Sequence, residues 1–200
     1  MFDVASGESL RGGRGVLALG FLLLAACATT SGGPPSKVHT TPAGAEQRFS
    51  MVGSGFQTTA LITADGAQGP QIDVGRYEDG KAIRGTVNGR TIDLTVKEDS
   101  ASGIWGQGPL TINLVAGAPE ELKATGLVAG RPSNFTATKE KITGQIGLCG
   151  YELNRTGDDY TGSRSCAGGI GQVTVDFPSS ILTWKPINIA VLMALLMSSP

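Results

Sequence analysis

Apolar and polar residues alternate with a period of two through the chain from about Glu46 onward. Because successive side chains of a β-strand point to opposite faces, this alternation is typical of strands buried on one face. Two such strands flank Asn88-Gly89. Both turn positions tolerate a positive φ, so this dipeptide predicts a two-residue hairpin turn. The residues that share one face of each strand are Ile83, Gly85 and Val87, followed by Ile92, Leu94 and Val96.

The hairpin pattern recurs along the chain. The segment 85–95, GTVNGRTIDLT, matches the segment 126–136, GLVAGRPSNFT, at an offset of 41 residues. A shorter match joins Ile104–Gln107 to Ile142–Gln145 at an offset of 38 residues. Each half-unit of about 20 residues is long enough for one hairpin. The chain is therefore expected to be mainly β, a meander of about 10–13 antiparallel strands.

Glycine recurs inside the predicted strands, although glycine weakens a strand. A row of glycines on one face allows a sheet to bend sharply or another element to approach closely. We therefore expect a strongly curved antiparallel meander or open barrel, with an edge-closed barrel as the alternative. A groove for a ligand is a second interpretation of the same row. The glycines are Gly85, Gly106, Gly126, Gly144 and Gly162.

The C-terminal segment PINIAVLMALLM predicts one helix at about 186–198. Proline suits the first turn of a helix, and Ala, Leu and Met are good helix formers. The segment is apolar on nearly every side, so we expect it to be buried against the curved sheet. A helix that touches a membrane or a partner is the alternative.

Cys149 and Cys166 predict a disulfide. Strand-like segments 149–154 and 160–166 flank a turn at 155–159. In a hairpin symmetric about that turn, the two cysteines lie opposite each other, at a Cα separation that a disulfide spans. A redox or metal-binding pair is the alternative, although no histidine lies nearby.

The N-terminal residues have the organisation of a bacterial secretory signal. Arg11 and Arg14 precede an apolar stretch from Val16 to Ala26. This stretch is shorter than the span of about 20 residues that crosses a membrane. It ends in Leu24-Ala25-Ala26-Cys27, which resembles the lipobox of bacterial lipoproteins. The resemblance implies that lipoprotein-processing machinery cuts the chain before Cys27 and that Cys27 carries lipid, anchoring the protein to a membrane.

The resemblance also implies a location and a domain organisation. Ala28 stands where an Asp would resemble the inner-membrane retention signal of enteric lipoproteins. We therefore expect a lipid-anchored protein of the bacterial cell envelope, in the outer membrane and facing the periplasm. The expected parts are a signal peptide at 1–26, a lipidated N-terminus and flexible tether at 27–45, and a β domain at 46–200.

Composition argues against several classes of function. A formal net charge of −1 and the lack of any basic run argue against nucleic acid as a partner. His39 is the single histidine and lies in the tether, which argues against Ser-His-Asp or Cys-His catalysis and against a zinc site. We expect no catalytic residues, no metal and no cofactor. Adjacent acidic residues remain as candidates for carboxylate chemistry: Glu98-Asp99, Glu120-Glu121 and Asp158-Asp159.

Arg90 and Arg131 occupy matching positions of the repeat, each just after a turn. The favoured interpretation is that each arginine lies along its own hairpin, with its stem packed and its head in water. Two guanidinium groups on one rim that bind an anionic partner are the alternative. Trp105 and Trp184 are expected in the core or on a sheet face.

Three functions are compatible with these observations. The first is a non-enzymatic envelope lipoprotein with a binding or structural role toward an unknown envelope protein. The second is a carrier or sensor of a lipid or other apolar ligand held between the curved sheet and the helix. The third is an envelope enzyme that uses carboxylates. The volume left between sheet and helix discriminates the second from the first.

Overall fold

A computed structural model describes residues 47–198, which form a closed antiparallel barrel of fourteen strands with one helix inside it. Each strand pairs with its neighbours in sequence, and β1 pairs with β14 to close the sheet. The predicted antiparallel meander with one C-terminal helix is confirmed. The sheet closes, as in the edge-closed alternative, and it has more strands than the expected 10–13.

The strands are six to eight residues long, apart from β3, which has three residues. Their bounds are β1 Arg48–Gly53, β2 Phe56–Thr63, β3 Gly66–Gln68, β4 Ile72–Tyr77, β5 Ala82–Val87, β6 Arg90–Val96, β7 Ser100–Trp105, β8 Gly108–Val115, β9 Leu122–Val128, β10 Arg131–Ala137, β11 Lys141–Ile146, β12 Cys149–Thr156, β13 Asp159–Cys166 and β14 Gly169–Asp176. Short 3₁₀ turns cover Glu78–Gly80 and Ser179–Thr183, and the helix α1 covers Pro186–Met197.

The β5–β6 hairpin forms around Asn88-Gly89, as the sequence predicts. Asn88 has φ 51° and Gly89 has φ 70°, the positive values that a two-residue hairpin turn of this kind requires. The 41-residue repeat is also structural, because the matching segment forms the β9–β10 hairpin around Ala129-Gly130. The shorter match is not a structural repeat. Ile104–Gln107 runs from the end of β7 into a turn, whereas Ile142–Gln145 lies inside β11.

A row of inner-face glycines bends the sheet, as expected from the sequence. At Gly126, φ is 154°, and a Cβ atom would overlap the carbonyl oxygen of Thr111 on β8. Backbones of neighbouring strands therefore approach closely at these positions. One of the expected members is wrong: Gly106 lies in the β7–β8 turn with φ 61°, and Gly103 takes the mid-strand place in β7. The mid-strand glycines of the row are Gly85, Gly103, Gly126, Gly144 and Gly162.

The two ends of the barrel differ in their connections. One end, which we name the mouth, carries the connections 54–55, 69–71, 88–89, 106–107, 129–130, 147–148 and 167–168. The other end, which we name the base, carries 64–65, 78–81, 97–99, 116–121, 138–140 and 157–158. The chain enters β1 at the base, and α1 begins there after β14.

The helix α1 fills the barrel and runs from the base to the mouth. It lies closest to β7, β8 and β9, and Asn188 near its start reaches Gly80 at the base. At the other end, Ser198 lies beside Gly147 at the mouth. Ten of the twelve helix residues are buried, on every side of the helix. The sequence prediction of a buried core helix is therefore confirmed.

Cys149 and Cys166 form a disulfide at the mouth. In the β12–β13 hairpin, Gly150 lies opposite Ser165, so the two cysteines face each other one position further along. Their Cα atoms are 4.2 Å apart. The pairing is the one predicted from the sequence, whereas the turn is 157–158 and shorter than the predicted 155–159.

Candidate functional site

A cavity of about 880 Å³ opens at the mouth of the barrel. Its floor includes Ser198 at the end of α1, and its wall includes the disulfide. The charged residues that line it are Arg90, Arg131 and Arg164; no Asp, Glu or Lys is among the lining residues in the part of the chain that the structure describes. This cavity is the candidate functional site.

The strand register directs all three arginines toward the inside of the mouth. On β6, Arg90 shares its face with buried Ile92 and Leu94. On β10, Arg131 shares its face with buried Ser133 and Phe135. On β13, Arg164 is itself buried. Because alternate residues of a strand face the same side, these guanidinium groups belong to the inner surface of the barrel.

Arg90 and Arg131 are exposed, and the guanidinium group of neither makes a hydrogen bond or an ion pair within residues 47–198. Two other exposed arginines are engaged. Arg84 binds Asp93 at 3.1 Å, and Arg155 donates to the carbonyl of Gly157 at 2.9 Å. Both arginines line the cavity, and their exposed heads and the packed stem of Arg90 agree with the favoured interpretation of the sequence, while their place at one end of the barrel is the one that the rim alternative requires.

Backbone hydrogen bonds join turns of the mouth to a neighbouring turn or strand. The backbone amide of Asn88 donates to Gln71, and that of Gly106 donates to Thr91, each at 2.7 Å. The amide of Gly130 donates to Pro109 at 2.8 Å. The stem of Arg90 lies against Gly106, where a Cβ atom would be 3.2 Å from Arg90 Cδ. The absence of a side chain at Gly106 therefore makes room for the arginine.

Arg164 belongs to a buried network at the floor of the mouth. Its Nε donates to the Tyr151 hydroxyl at 3.0 Å, and that hydroxyl donates to the carbonyl oxygen of Met197 at the end of α1. Its Nη2 contacts Cys149 Sγ at 3.3 Å. Burial raises the pKa of Tyr151 above its usual value, while the charge of Arg164 opposes this rise. The phenol therefore stays protonated at neutral pH and remains a donor to the helix.

Aromatic and apolar side chains complete the lining. Phe56 lies under Arg164, whose Cζ is 4.5 Å from the ring centroid. The Trp105 indole donates to the carbonyl of Val87 at 3.2 Å, which fixes its orientation. Leu148 and Ile170 also line the cavity, and they are 56% and 80% exposed. The cavity thus combines cationic donors with apolar surface.

Charge separates the two ends of the barrel. Every one of the six base connections contains an Asp or a Glu, whereas none of the seven mouth connections does. A second cavity, of about 690 Å³, lies at the base and is lined by both Lys97 and Asp99, so its charge is mixed. The mouth is therefore the end of the barrel that suits an anion.

No protein-family model, curated protein or solved structure was found that matches this chain. The site is therefore interpreted from its own geometry.

The other residues singled out in the sequence lie elsewhere. Glu98-Asp99, Glu120-Glu121 and Asp158-Asp159 fall in or beside three separate base connections, away from the mouth. Trp184 is buried, and its indole donates to Thr63 at 3.0 Å. Cys27, His39 and the tether 27–45 lie outside the described residues.

Two features are absent from the residues that the structure describes. Between residues 47 and 198, no group of three or more His, Cys, Asp or Glu side chains is arranged to hold a metal ion. No helix in the same range has the length and apolar character to span a membrane.

Sequence reasoning identified Arg90 and Arg131 but missed Arg164 and Phe56. The local pattern around Arg164 offers no repeat partner that would mark it. A signal was nevertheless present in the turns, because acid-free and acid-containing turns alternate along the chain. In an antiparallel meander, alternate turns lie at the same end, so this alternation indicates one end without carboxylates.

Proposed function

We propose that this protein is a membrane-anchored lipoprotein of the bacterial envelope, in the outer membrane and facing the periplasm, and that its role is non-enzymatic binding. The anchor rests on Leu24-Ala25-Ala26-Cys27 and the apolar stretch before it. The disulfide supports an oxidising compartment such as the periplasm. The binding role rests on the mouth cavity, in which Arg90 and Arg131 are unpaired within the described residues.

The closed barrel supports a binding role because three inward-facing arginines, Arg90, Arg131 and Arg164, gather at the mouth. Side chains of the strands and of α1 fill the rest of the interior in one continuous hydrophobic cluster. Backbone hydrogen bonds hold turns of the mouth, so the backbone that carries the donors loses little freedom when a ligand binds. The mouth therefore offers a preorganised backbone.

A carrier or sensor of an apolar ligand is the second candidate, and the cavity volume bears on it. A ligand of this kind was expected between sheet and helix. Side chains of the strands and of α1 pack against each other there in one hydrophobic cluster. The cavity of about 880 Å³ at the mouth, with exposed Leu148 and Ile170, favours a version of this function in which the ligand sits at the mouth. We propose no role for the base carboxylates in catalysis.

The anchor is tested by replacing Cys27 with Ser in the full chain and labelling cells with radioactive palmitate. Wild-type protein is expected to be labelled and to fractionate with membranes. The Cys27→Ser variant is expected to lose the label and processing before residue 27. An Ala28→Ser variant is the matched control and is expected to keep the label. Normal labelling of Cys27→Ser would contradict the lipoprotein assignment.

A further inference from the structure

We propose that the mouth binds an organic phosphate that carries an apolar portion, with Arg90 and Arg131 contacting the phosphate oxygens. This inference rests on the proposed binding function and names the chemical class of its ligand. Two independent properties of the mouth support it: its positive charge, and a lining that combines cationic with apolar side chains.

The charge of the mouth is positive after the helix is taken into account. The C-terminal end of an α-helix carries a partial charge of about −0.5, and α1 ends at the floor of the cavity. Buried Arg164 reaches this end through the Tyr151 hydroxyl and so offsets the helix charge. Arg90 and Arg131 remain, and no carboxylate lines the cavity within the described residues.

The arrangement of the two arginines favours phosphate over a single carboxylate. A guanidinium forms paired hydrogen bonds with either group. Arg90 and Arg131, however, come from two different hairpins, with the β7–β8 hairpin between them. A phosphate monoester has three free oxygens and up to two charges, so two separate guanidinium groups can each contact oxygens of their own. One carboxylate has two oxygens and one charge.

The lining indicates that the ligand is larger than inorganic phosphate. The cavity of about 880 Å³ lies in the range of sites for drug-sized organic molecules. Phe56 and Trp105 face its interior, and Leu148 extends the apolar surface to the solvent. An alkyl group attached to the phosphate would bury part of this surface, which favours binding by the hydrophobic effect.

Calorimetric titration with monooctyl phosphate tests this inference. The full chain carries Cys27→Ser, so that no lipid anchor contributes to binding. With its mouth residues unchanged, this chain is expected to bind monooctyl phosphate more tightly than inorganic phosphate or neutral octyl glucoside. The double variant Arg90→Gln/Arg131→Gln is expected to weaken binding about tenfold or more, as expected for the loss of charged hydrogen bonds.

Matched variants at the base control for charge and for apolar area. Arg48→Gln/Arg155→Gln removes two exposed arginines from the base, and its affinity for monooctyl phosphate is expected to equal that of the parent chain. Leu148→Ser is expected to weaken the binding of monooctyl phosphate about threefold or more without changing the affinity for inorganic phosphate. Leu182→Ser, at an exposed base position, is expected to leave the affinity for both ligands unchanged. All variants alter exposed side chains, so circular dichroism is expected to show an unchanged fold.

A second arm distinguishes a free amphiphile from a lipid in a bilayer. It measures flotation of the same chain with phosphatidylcholine vesicles, with and without 20% phosphatidic acid. Flotation that depends on phosphatidic acid, Arg90 and Arg131 supports the inference and identifies a bilayer lipid as the source. Binding of monooctyl phosphate without flotation supports it with a free amphiphile as the source. Absence of both, or equal binding by Arg90→Gln/Arg131→Gln, overturns the inference, while palmitate labelling at Cys27 remains a separate result.

Discussion

At the scale of single residues, the three mouth arginines differ in what they touch. Arg164 is 8% exposed and lies between Phe56, Tyr151 and Cys149, so its removal would leave polar groups of the floor without a partner. Arg90 and Arg131 are exposed, and the guanidinium group of neither is hydrogen-bonded or ion-paired within the described residues. Substitution of Arg90 and Arg131 therefore reports on binding, whereas substitution of Arg164 also reports on stability.

Asp176 connects one residue at the base to the pH dependence of stability. Burial, followed by the nearby charges of Asp159 and Asp158, raises the pKa of Asp176 above its usual value. The folded barrel therefore disfavours the ionised carboxylate. Below the unfolded-state pKa of about 3.9, Asp176 is protonated in both the folded and the unfolded state and does not lower the free energy of unfolding. As the pH rises through the raised folded-state pKa, the carboxyl group ionises in the folded barrel and this part of the stability is lost.

Asp176→Asn is therefore expected to raise Tm at pH 7 by about 1–2 °C, a small effect because solvent screens this partly exposed group. At pH 3, both proteins are neutral at this position and their Tm values are expected to agree. Thermal unfolding followed by circular dichroism at both values of pH measures the difference. Asp73→Asn, an exposed position on β4, controls for the loss of one negative charge. A lower Tm for Asp176→Asn at pH 7 would contradict the account.

At the scale of elements, the glycine row sets the curvature that closes the sheet. Gly126→Ala is expected to destabilise the protein by about 2–4 kcal/mol, because its Cβ atom would overlap the carbonyl oxygen of Thr111 and φ is 154°. Gly168→Ala is the control, since a Cβ atom there meets no atom within 4 Å. Urea unfolding measures both variants. Equal midpoints for the two substitutions would show that the close strand approach at Gly126 is not needed.

Much of this element structure could be predicted from the sequence, because it depends on local patterns. Asn88-Gly89, the alternation on β5 and β6, and the opposition of Cys149 and Cys166 are all properties of single hairpins. The status of Gly106 could not be predicted in the same way. An Ile-x-Gly-Gln segment occurs both across a turn and inside a strand, and only the pairing with neighbouring strands distinguishes them.

At the scale of the whole molecule, closure of the sheet and the position of the mouth depend on contacts between distant residues. Pairing of β1 with β14 joins residues at least 120 positions apart, as in Ser50 with Asp176. No local pattern encodes that pairing. The repeat placed Arg90 and Arg131 at equivalent positions, but only closure around α1 turns one end of the sheet into a cavity.

The helix and the barrel are expected to unfold together, because α1 contributes to the one core cluster of the described residues. Leu195→Ala is expected to cost about 2–5 kcal/mol, as for a fully buried leucine. Far-ultraviolet circular dichroism and tryptophan fluorescence are expected to report the same urea midpoint. Leu182→Ala, at a position 76% exposed, is the control and is expected to change stability by less than about 0.5 kcal/mol. Two separate transitions for Leu195→Ala would show that helix and sheet are independent units.

The asymmetry between an acid-free mouth and an acidic base is the central property of the whole molecule. Nuclear magnetic resonance of the arginine Nε–H groups tests it most directly, with monooctyl phosphate added to the full chain and signals assigned from single Arg→Gln variants. We expect the signals of Arg90 and Arg131 to shift and to saturate together, while those of Arg48, Arg84 and Arg155 stay unchanged. Shifts of equal size at mouth and base arginines, or shifts at the base alone, would contradict the account.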